Sequence, residues 1–498
     1  MPSETTSPAP RVAPPSPNLF LTVFPSIMLP MFLAAIDQTI VATALPAIAG
    51  SLGDVQRVSW IVVSYLVANT IAAPIYGRLG DAIGRKKMMF IALAVFIGAS
   101  VLCAVSGSIL MLTMARLLQG AGGGGLMTLS QALIAEAVPP RERGKYQGYL
   151  SGMYASAATF GPVAGGFLTQ HFGWQSVFLV NVPLGLLAGF LVMRLPAHPS
   201  RGGRIQFDVW GTLFFAGFIA PVLLAMERAQ SIDLASAPMM VALLGVAMGS
   251  LLLLIRQEKR APAPLLPIQL FRQAGIWRTD TMAACVAGQT VSLVSFLPMY
   301  LQVVRGATTA HSGALLMPLT LGIAAGSFFC GRIIAATGRT AILPSVGLAV
   351  SAGLTLTLAA LAPNLATGTI IGMLAVASFC TGTAMPVVQM TVQTVAGPRF
   401  LGAAAASVQF SRSVGASFGT ALVGAVLFAV LAARDTQTAS MFASLVQQGP
   451  RALDVLPAAK QLAVRAEIAD AFRAAFLTIG CFTTVGMLFA WWLPVRRI

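Results

Sequence analysis

Two ionisable side chains, Asp37 and Arg116, lie within long apolar stretches of the sequence. A charged group in such a stretch is costly in apolar surroundings, so by default it faces a cavity or a partner and marks an ion or proton pathway. Burial disfavours the charged form of a carboxylate, whereas a nearby guanidinium favours it. An aspartate and an arginine together could therefore bind and release a proton. Two plainer readings stay open: Asp37 lies among lipid headgroups at a helix end, and Arg116 bonds carbonyls of broken helix ends.

A glycine-rich segment follows Arg116 and contains the spacing G-x-G-x-x-G, at Gly120, Gly122 and Gly125. In a dinucleotide-binding fold this spacing needs a preceding strand, a following helix and an acidic residue about 20 positions on. Here the glycines lie inside an apolar segment, and the next acidic residue, Glu136, comes too early. We interpret them as a flat helix surface that lets a neighbouring helix approach closely. That neighbour is the first or the second apolar stretch of the chain, at 20–46 or 60–77.

The composition indicates a polytopic membrane protein. Of 498 residues, 57% are hydrophobic and 9% are charged, whereas soluble domains carry about a quarter charged residues. The net charge of +16 does not indicate nucleic-acid binding, because the basic residues lie between apolar stretches and do not cluster on one face. The five cysteines lie in apolar stretches without metal-ligand spacing, which predicts no disulfide, no metal site and no bound cofactor.

Apolar stretches of about 20 residues predict transmembrane helices. The sequence contains fourteen such stretches: 20–46, 60–77, 88–105, 109–136, 146–169, 175–193, 208–226, 238–255, 280–301, 313–336, 341–361, 366–388, 402–431 and 473–493. If both termini are cytoplasmic, most Lys and Arg residues outside the spans fall in inner loops, as the positive-inside rule requires.

An internal repeat divides the chain. The pattern G-R-L-x4-G-R from Gly77 recurs as G-R-I-x4-G-R from Gly331, and the same offset carries Gly148 to Gly402 and Gly161 to Gly415. This relates span 2 to span 10 and span 5 to span 13, which predicts a parallel repeat. The predicted divisions are a disordered tail at 1–18, a six-helix bundle at 19–194, a linker with inserted spans 7 and 8 at 195–278, and a second six-helix bundle at 279–498 with a long outer loop at about 433–472.

Several segments then show a family resemblance. YGRLGDAIGRKKMM (76–89) resembles the cytoplasmic loop signature of the major facilitator superfamily. AIDQTIVATALP (35–46), LTMARLLQGAG (112–122) and TFGPVAGGF (159–167) resemble the first-, fourth- and fifth-helix signatures of its fourteen-span drug:proton antiporters of the EmrB/QacA type. The chain departs from the pattern at Ala42, where Asn is common, and at Ala335, which the repeat aligns with Asp81.

The resemblance implies an all-α major facilitator fold of fourteen transmembrane helices and a proton-driven exporter. It implies that Asp37 exchanges a proton for substrate and that Arg116 modulates it. It also implies a conformational latch, formed by Gly77, Asp81, Gly84 and Arg85, and an antiporter segment, formed by Gly161, Pro162, Gly165 and Gly166. Generic positive-inside charge and tight helix packing remain the plainer readings of these two segments.

The substrate cavity is less sharply defined by the sequence. Polar or aromatic residues within spans are its candidate lining: Tyr65, Asn69, Tyr154, Gln289, Phe296, Tyr300, Gln389, Gln409 and Arg412. An apolar wall with a few polar groups suits lipophilic, often cationic compounds. Each of these residues could instead bond a neighbouring helix, and Arg412 could be structural.

Other function classes fit less well. A membrane enzyme such as a lipid transferase needs clustered polar groups, whereas His171, His198 and His311 are scattered. An uptake symporter would share the fold but not the antiporter segment, and export of one endogenous metabolite stays open. The resemblance implies a multi-pass protein of the inner membrane, with both termini cytoplasmic, driven by the proton motive force. Its expected partners are the lipid bilayer, small molecules and protons, with a periplasmic adaptor as an option and a monomer otherwise.

Overall fold

A computed structural model describes residues 17–53, 57–195, 207–228, 237–262, 264–265, 268–307, 309–398, 400–434, 442 and 458–497. These residues form eighteen α-helices. In chain order they are α1 Pro17–Leu52, α2 Ser59–Ile83, α3 Arg85–Ala104, α4 Ile109–Ala137, α5 Pro140–Phe172, α6 Ser176–Leu179, α7 Asn181–Met193, α8 Val209–Arg228, α9 Ala237–Glu258, α10 Ile268–Phe271, α11 Ala274–Val303, α12 Thr309–Ala314, α13 Met317–Thr337, α14 Ile342–Leu361, α15 Thr367–Gly382, α16 Ala384–Ala396, α17 Leu401–Arg434 and α18 Ala458–Trp491.

Twelve helical segments of the described chain are long and apolar enough to cross a membrane. The predicted spans 109–136 and 146–169 are helices too, α4 with 29 residues and α5 with 33, but they fall outside this set. Both helices contain charged residues and several glycine, glutamine and serine residues among their apolar ones. Two further predicted spans consist of two helical segments each, α6 with α7 and α15 with α16.

The predicted boundaries shift at both ends of the chain. Helix α1 begins at Pro17, inside the tail predicted for 1–18, and residues 1–16 lie outside the described residues. The predicted outer loop at 433–472 is partly helical, because α17 continues to Arg434 and α18 begins at Ala458. The rest of that loop lies outside the described residues, apart from Phe442. The last part of the predicted loop, residues 458–472, is thus continuous with the last span in α18.

Buried apolar residues form separate cores along the chain. The largest runs from Phe24 to Leu195, over α1–α7 and the short segments between and after them, and we call α1–α7 the first half. Two more lie between Leu270 and Leu493, within α10–α18, which we call the second half. Helices α8 and α9 pack on each other, and the ring of Phe215 in α8 lies 5.6 Å from that of Phe410 in α17. Val67 of α2 belongs to the same core, so α8 packs against one helix of each half.

Repeat-related glycines end two equivalent helices. Gly84 ends α2 with φ at 109°, and Gly338 ends α13 with φ at 67°. Both values lie in the region that residues with a Cβ rarely adopt, so glycine is required at both turns. Both copies of the pattern thus end a helix on a glycine with positive φ, but ψ is 130° at Gly84 and 3° at Gly338, so the chain leaves the two helices in different directions.

The repeat also appears in helix packing. Gly161 and Gly165 let α5 lie against α1, and the repeat-related Gly415 and Gly419 let α17 lie against α11. Between the halves, a Cβ on Gly77 of α2 would lie 2.5 Å from the carbonyl oxygen of Gly402 in α17. Gly144 of α5 and Gly331 of α13 approach each other as closely. The two halves therefore meet at two related backbone crossings, both at the end of the array where α2 ends and α3 begins, which we call the Asp81 side.

The glycine-rich segment of α4 packs against two helices. Gly120 and Gly124 lie against the backbone of Tyr65 and Asn69 in α2, whereas a Cβ on Gly122 would lie 2.7 Å from the amide nitrogen of Phe96 in α3. The segment is helical throughout. The segment therefore lies close to span 2, which is one of the two neighbours predicted from the sequence. It also lies close to span 3, which the sequence analysis does not predict. Both contacts are internal to the first half.

Replacing Gly122 by Leu is expected to destabilise the first half. The new side chain would overlap the Phe96 backbone, and overpacking typically costs about 1–3 kcal/mol, more where backbone must move. The thermal unfolding temperature in detergent measures this loss. The matched control is Gly98→Leu in α3, because nothing lies within 4 Å of a Cβ at Gly98. Equal unfolding temperatures for the two variants would contradict the packing described here.

Candidate functional site

Asp37 and Arg116 form a buried ion pair. Arg116 Nη1 donates to Asp37 Oδ2 at 2.6 Å, which joins α1 to α4. Asp37 is 0% exposed and Arg116 is 1% exposed. The helical rise predicts that both residues lie at one depth, and the structure shows that their faces also meet. The reading of Asp37 as a helix-end residue among headgroups does not fit this burial.

Two amide side chains complete the carboxylate's surroundings. Gln119 Nε2 of α4 donates to Asp37 Oδ1 at 2.9 Å, and Asn181 Nδ2 of α7 donates to the same oxygen at 2.7 Å. Gln119 Nε2 also lies 2.8 Å from the hydroxyl oxygen of Ser100 in α3. Four helices of the first half thus converge on Asp37. Three side-chain donors thus satisfy this buried carboxylate.

Arg116 is held from several directions. Its Nε donates to the carbonyl oxygen of Ile61 at 3.2 Å, and Nη1 also donates to Gln119 Oε1 at 2.7 Å. Its guanidinium carbon lies 4.2 Å from the centre of the Tyr65 ring. Arg116 thus bonds one backbone carbonyl and forms an ion pair with Asp37. This arrangement does not fit the interpretation in which Arg116 only bonds carbonyls at a broken helix end. The guanidinium instead contacts the Asp37 carboxylate, the Gln119 side-chain amide and the face of the Tyr65 ring.

This cluster, Asp37 with Arg116, Gln119, Asn181 and Ser100, links α1, α3, α4 and α7. Breaking a buried ion pair from one side leaves an uncompensated charge, which is strongly unfavourable. Loss of either charge would therefore favour a rearrangement of the remaining group and of the helices that carry these residues. Sequence reasoning missed Gln119 and Asn181, because many amides occur in the spans and their facing cannot be read from spacing.

The predicted latch residues lie together on the Asp81 side. Arg85 Nη2 donates to Asp81 Oδ1 at 2.7 Å, and Arg85 Nη1 donates to Glu136 Oε2 at 2.7 Å. The backbone N–H of Gly402 donates to both oxygens of Asp81, at 3.2 Å and 3.1 Å. Gly402 lies in the first turn of α17, where a carboxylate is favoured by the helix dipole. Sequence reasoning placed Asp81 beside the start of α3, whereas the structure adds a helix of the other half.

The antiporter segment contacts the helix that carries Asp37. Gly161 of α5 lies against Thr39, and Gly165 lies against Ile40 and Thr43. The Thr39 hydroxyl lies 2.9 Å from the carbonyl oxygen of Ala157 in α5. Pro162 lies within α5, which continues as a helix to Phe172, and Gly166 has nothing within 4 Å of a Cβ. Two of the four predicted residues thus join α5 to α1.

A cavity of about 240 Å³ lies between the two halves. Helices α4 and α5 line it from the first half, and α11, α13, α16 and α17 line it from the second. Tyr154, Gln389 and Arg412 are among its residues, and Gln409 lines a smaller adjoining space. The Nε2 group of Gln393 in α16 donates to the carbonyl oxygen of Gln131 in α4 at 3.2 Å, which joins the halves next to the cavity.

Five other residues predicted to line the cavity lie inside the bundles instead. Tyr65 donates its hydroxyl to the Ala34 carbonyl, and Asn69 lies against the glycines of α4. Gln289 Nε2 lies 3.1 Å from the Ser351 hydroxyl and 3.2 Å from that of Thr381, within the second half. Phe296 and Tyr300 belong to an apolar core. Their partners come from distant parts of the sequence, so span membership could not separate them from cavity residues.

Gln131 and Gln147 line the cavity although the sequence prediction omits them. They join α4 to α5, since Gln147 Nε2 donates to Gln131 Oε1 at 2.7 Å. Asp280 lies one helical turn before the lining residue Ala283 in α11 and is 5% exposed. Neither of its carboxylate oxygens has a hydrogen-bond partner among the described residues.

The fold and the sites define a class of protein. A largely apolar helical array, a cavity between two repeat-related halves and a buried ion pair within one half are the parts of a membrane transporter, not of an enzyme. The chain belongs to the Major Facilitator Superfamily, whose family profile matches residues 27–420.

Relatives with transporter names support this class. The chain is 31% identical over 475 residues to an uncharacterised MFS-type transporter of Mycobacterium tuberculosis, covering 94% of this chain and 68% of that protein. It is 28% identical over 403 residues to the multidrug transporter protein MdtP of Bacillus subtilis, covering 80% and 74%. The coarse function supported by these relatives is membrane transport of the drug-efflux type.

Solved structures show the same fold. The human organic anion transporter MFSD10 superposes with a TM-score of 0.66 at 15% identity, covering 94% of this chain and 99% of that one. The proton:xylose symporter XylE superposes with a TM-score of 0.60 at 16% identity, covering 96% and 98%.

Proposed function

We propose that this protein is a proton-driven exporter of lipophilic small molecules that works by alternating access. The observation that carries the proposal is the buried pair of Asp37 and Arg116, bonded through amides from α4 and α7. An ionisable pair so deeply buried has a substantial desolvation cost. A structural core would be served as well by apolar residues, so the pair points to a proton site.

The contacts supply a route from the proton site to the cavity. Thr39 lies two positions after Asp37 in α1 and touches Gly161 of α5. The same helix α5 contributes Ser151, Tyr154 and Ala158 to the cavity wall. A shift of α1 on protonation of Asp37 would therefore be passed to the substrate cavity through a glycine contact. Proton binding and substrate binding would then favour different states.

The topology belongs to the same proposal. We infer fourteen spans, with α4 and α5 crossing the membrane beside the twelve more apolar segments. Both are long enough to cross a hydrocarbon core at about 1.5 Å per residue. The repeat then gives two six-helix bundles, with α8 and α9 inserted between them. The basic residues Arg78, Arg85, Lys86 and Lys87 favour a cytoplasmic location for the Asp81 side.

In this orientation the structure is closed towards the cytoplasm. Asp81 bonded to Gly402 and the two glycine crossings form the closure. We propose that Gly77, Asp81, Gly84 and Arg85 hold this state as a latch, and that the cavity exchanges with the outer side. The transporter would act in the inner membrane as a monomer, with the proton motive force as its energy source and no cofactor.

Transport in inside-out membrane vesicles tests the proposed function. An imposed pH gradient, acidic inside, should drive a lipophilic fluorescent drug into vesicles that contain the protein, and an uncoupler should abolish the accumulation. Vesicles from cells with an empty vector are the control. Accumulation that persists after the uncoupler would contradict proton coupling, and accumulation equal to that of the empty vesicles would contradict export.

A further inference from the structure

The cavity between the halves has a positive wall. Among the described residues that line the cavity, Arg412 of α17 is the one with a charged side chain. The guanidinium makes no ion pair or hydrogen bond within the described chain, and its nearest aromatic contact is the Tyr154 ring, at 5.9 Å. An unpaired cation within a membrane is costly, so its counter-charge is expected from whatever enters the cavity.

A second unpaired donor lies in the same cavity. Gln389 of α16 is 5% exposed, and its Nε2 group is buried without an acceptor among the described residues. Burying an amide N–H group without an acceptor is unfavourable. Gln389 and Arg412 line both the main cavity and the smaller space that adjoins it. Two donors without acceptors therefore belong to one site.

The third donor group of the cavity is Gln131. Its Oε1 atom already accepts a hydrogen bond from Gln147, so its side chain would contact a ligand through the N–H groups of Nε2. No aspartate or glutamate occurs among the described lining residues. Asp280, the nearest acidic residue along α11, is buried behind the wall and does not line it. The cavity thus offers donors and a positive charge, and no anion that would pair with a cationic ligand.

The remaining wall is apolar. Ala155 and Ala158 of α5 face Ala283 and Val286 of α11 across the space. The volume of about 240 Å³ lies a little below the roughly 300–1,000 Å³ of ordinary ligand pockets. A compact ring system with one polar group fits this combination better than a large drug does.

We propose that the cavity binds amphiphilic anions, which carry a single carboxylate or sulfonate on a compact apolar body. Arg412 pairs with the anionic group, and the Gln389 amide donates a hydrogen bond to it. The apolar wall contacts the body. This substrate class rests on the proposed function, since it names what the exporter carries, and it replaces the cationic compounds expected from the sequence.

Exchange in proteoliposomes tests the substrate class without a pH gradient. Liposomes that contain the purified protein are preloaded with unlabelled 2-naphthoate, and entry of labelled 2-naphthoate is measured. The matched cation is 2-naphthyltrimethylammonium, which has the same ring system. The wild-type protein should exchange the anion and not the cation. Cation exchange as fast as anion exchange, or no exchange of the anion, would overturn the proposal.

Variants at Arg412 sharpen the test. Arg412→Gln should lower anion exchange about tenfold or more, because it removes a hydrogen bond to a charged group. Arg412→Lys should keep part of the exchange, and Arg412→Glu should turn the preference towards the cation. Arg473→Gln, at a half-exposed arginine of α18, is the control and should match the wild type. Unchanged anion exchange in a folded, monodisperse Arg412→Gln protein would overturn the proposal.

The two proposals fail separately. If 2-naphthoate exchanges normally but an imposed pH gradient does not accumulate it, proton coupling is wrong while the substrate class stands. If a pH gradient accumulates the cation and Arg412→Gln has no effect, the exporter stands and the substrate class is wrong.

Discussion

Replacing Asp37 by Asn is expected to abolish pH-driven accumulation in inside-out vesicles. The amide cannot release a proton near neutral pH, and it presents a second donor to Arg116, whose Nη1 now lies 2.6 Å from a carboxylate oxygen. Arg116 would be left as a buried charge without its partner, at a cost of roughly 3–5 kcal/mol. The unfolding temperature in detergent should therefore fall together with transport.

A double variant separates these two effects. Asp37→Asn combined with Arg116→Gln removes both charges, so stability should recover while proton-driven transport stays lost. Asp470→Asn in α18, where the carboxylate lies 3.6 Å from Arg473 near the surface, is the control and should leave both measurements unchanged. If the double variant regained pH-driven accumulation, Asp37 would not be the proton site.

Replacing Asp81 by Asn is expected to open the closed side. The amide can still accept from Gly402, but it loses the charge that strengthens this bond and the ion pair with Arg85. Hydrogen bonds to charged groups contribute about 1.5–3 kcal/mol, so the population of the open state should rise several-fold or more. Transport should slow, because one access state loses its latch, while the substrate still binds.

Distances between spin labels measure this opening. Labels at Lys87, after the start of α3, and at Pro398, before α17, span the closure, in a protein whose native cysteines are replaced by alanine. Asp81→Asn should add longer distances to the distribution. Lys145→Gln, an exposed basic residue of α5 on the same side, is the control for loss of charge alone. An unchanged distribution together with weaker substrate binding would show that Asp81 is not a latch.

The sequence predicted the helical class, the repeat and the depth of the charged pair, for a physical reason. Hydropathy and charge distribution follow directly from residue type, and the helical rise turns a residue count into a depth. Asp37 and Arg116 could therefore be placed at one level. Whether their faces meet depends on how each helix is rotated within the bundle, which composition does not determine.

The cavity was predicted less well for the same reason. Gln289 and Gln389 are both amides within apolar helices, but one bonds Ser351 and Thr381 inside the second half while the other lines the cavity. The difference arises from partners far away in the sequence. Gln131 is one of many amides within the spans, and its spacing does not separate it from those that bond a neighbouring helix. Arg412 stood out as a charge, but its lack of a carboxylate partner is visible only in three dimensions.

The glycine crossings have a mechanical consequence. At Gly77 with Gly402, and at Gly144 with Gly331, main chain meets main chain, and the crossing residues themselves have no side chain that would resist separation. Such contacts fix how the two halves pack against each other, but they add few side-chain interactions that must break when the halves move. The barrier to opening would then be governed by the few polar bonds around Asp81. The turnover rate could accordingly be tuned at Asp81 without altering the path along which the halves move.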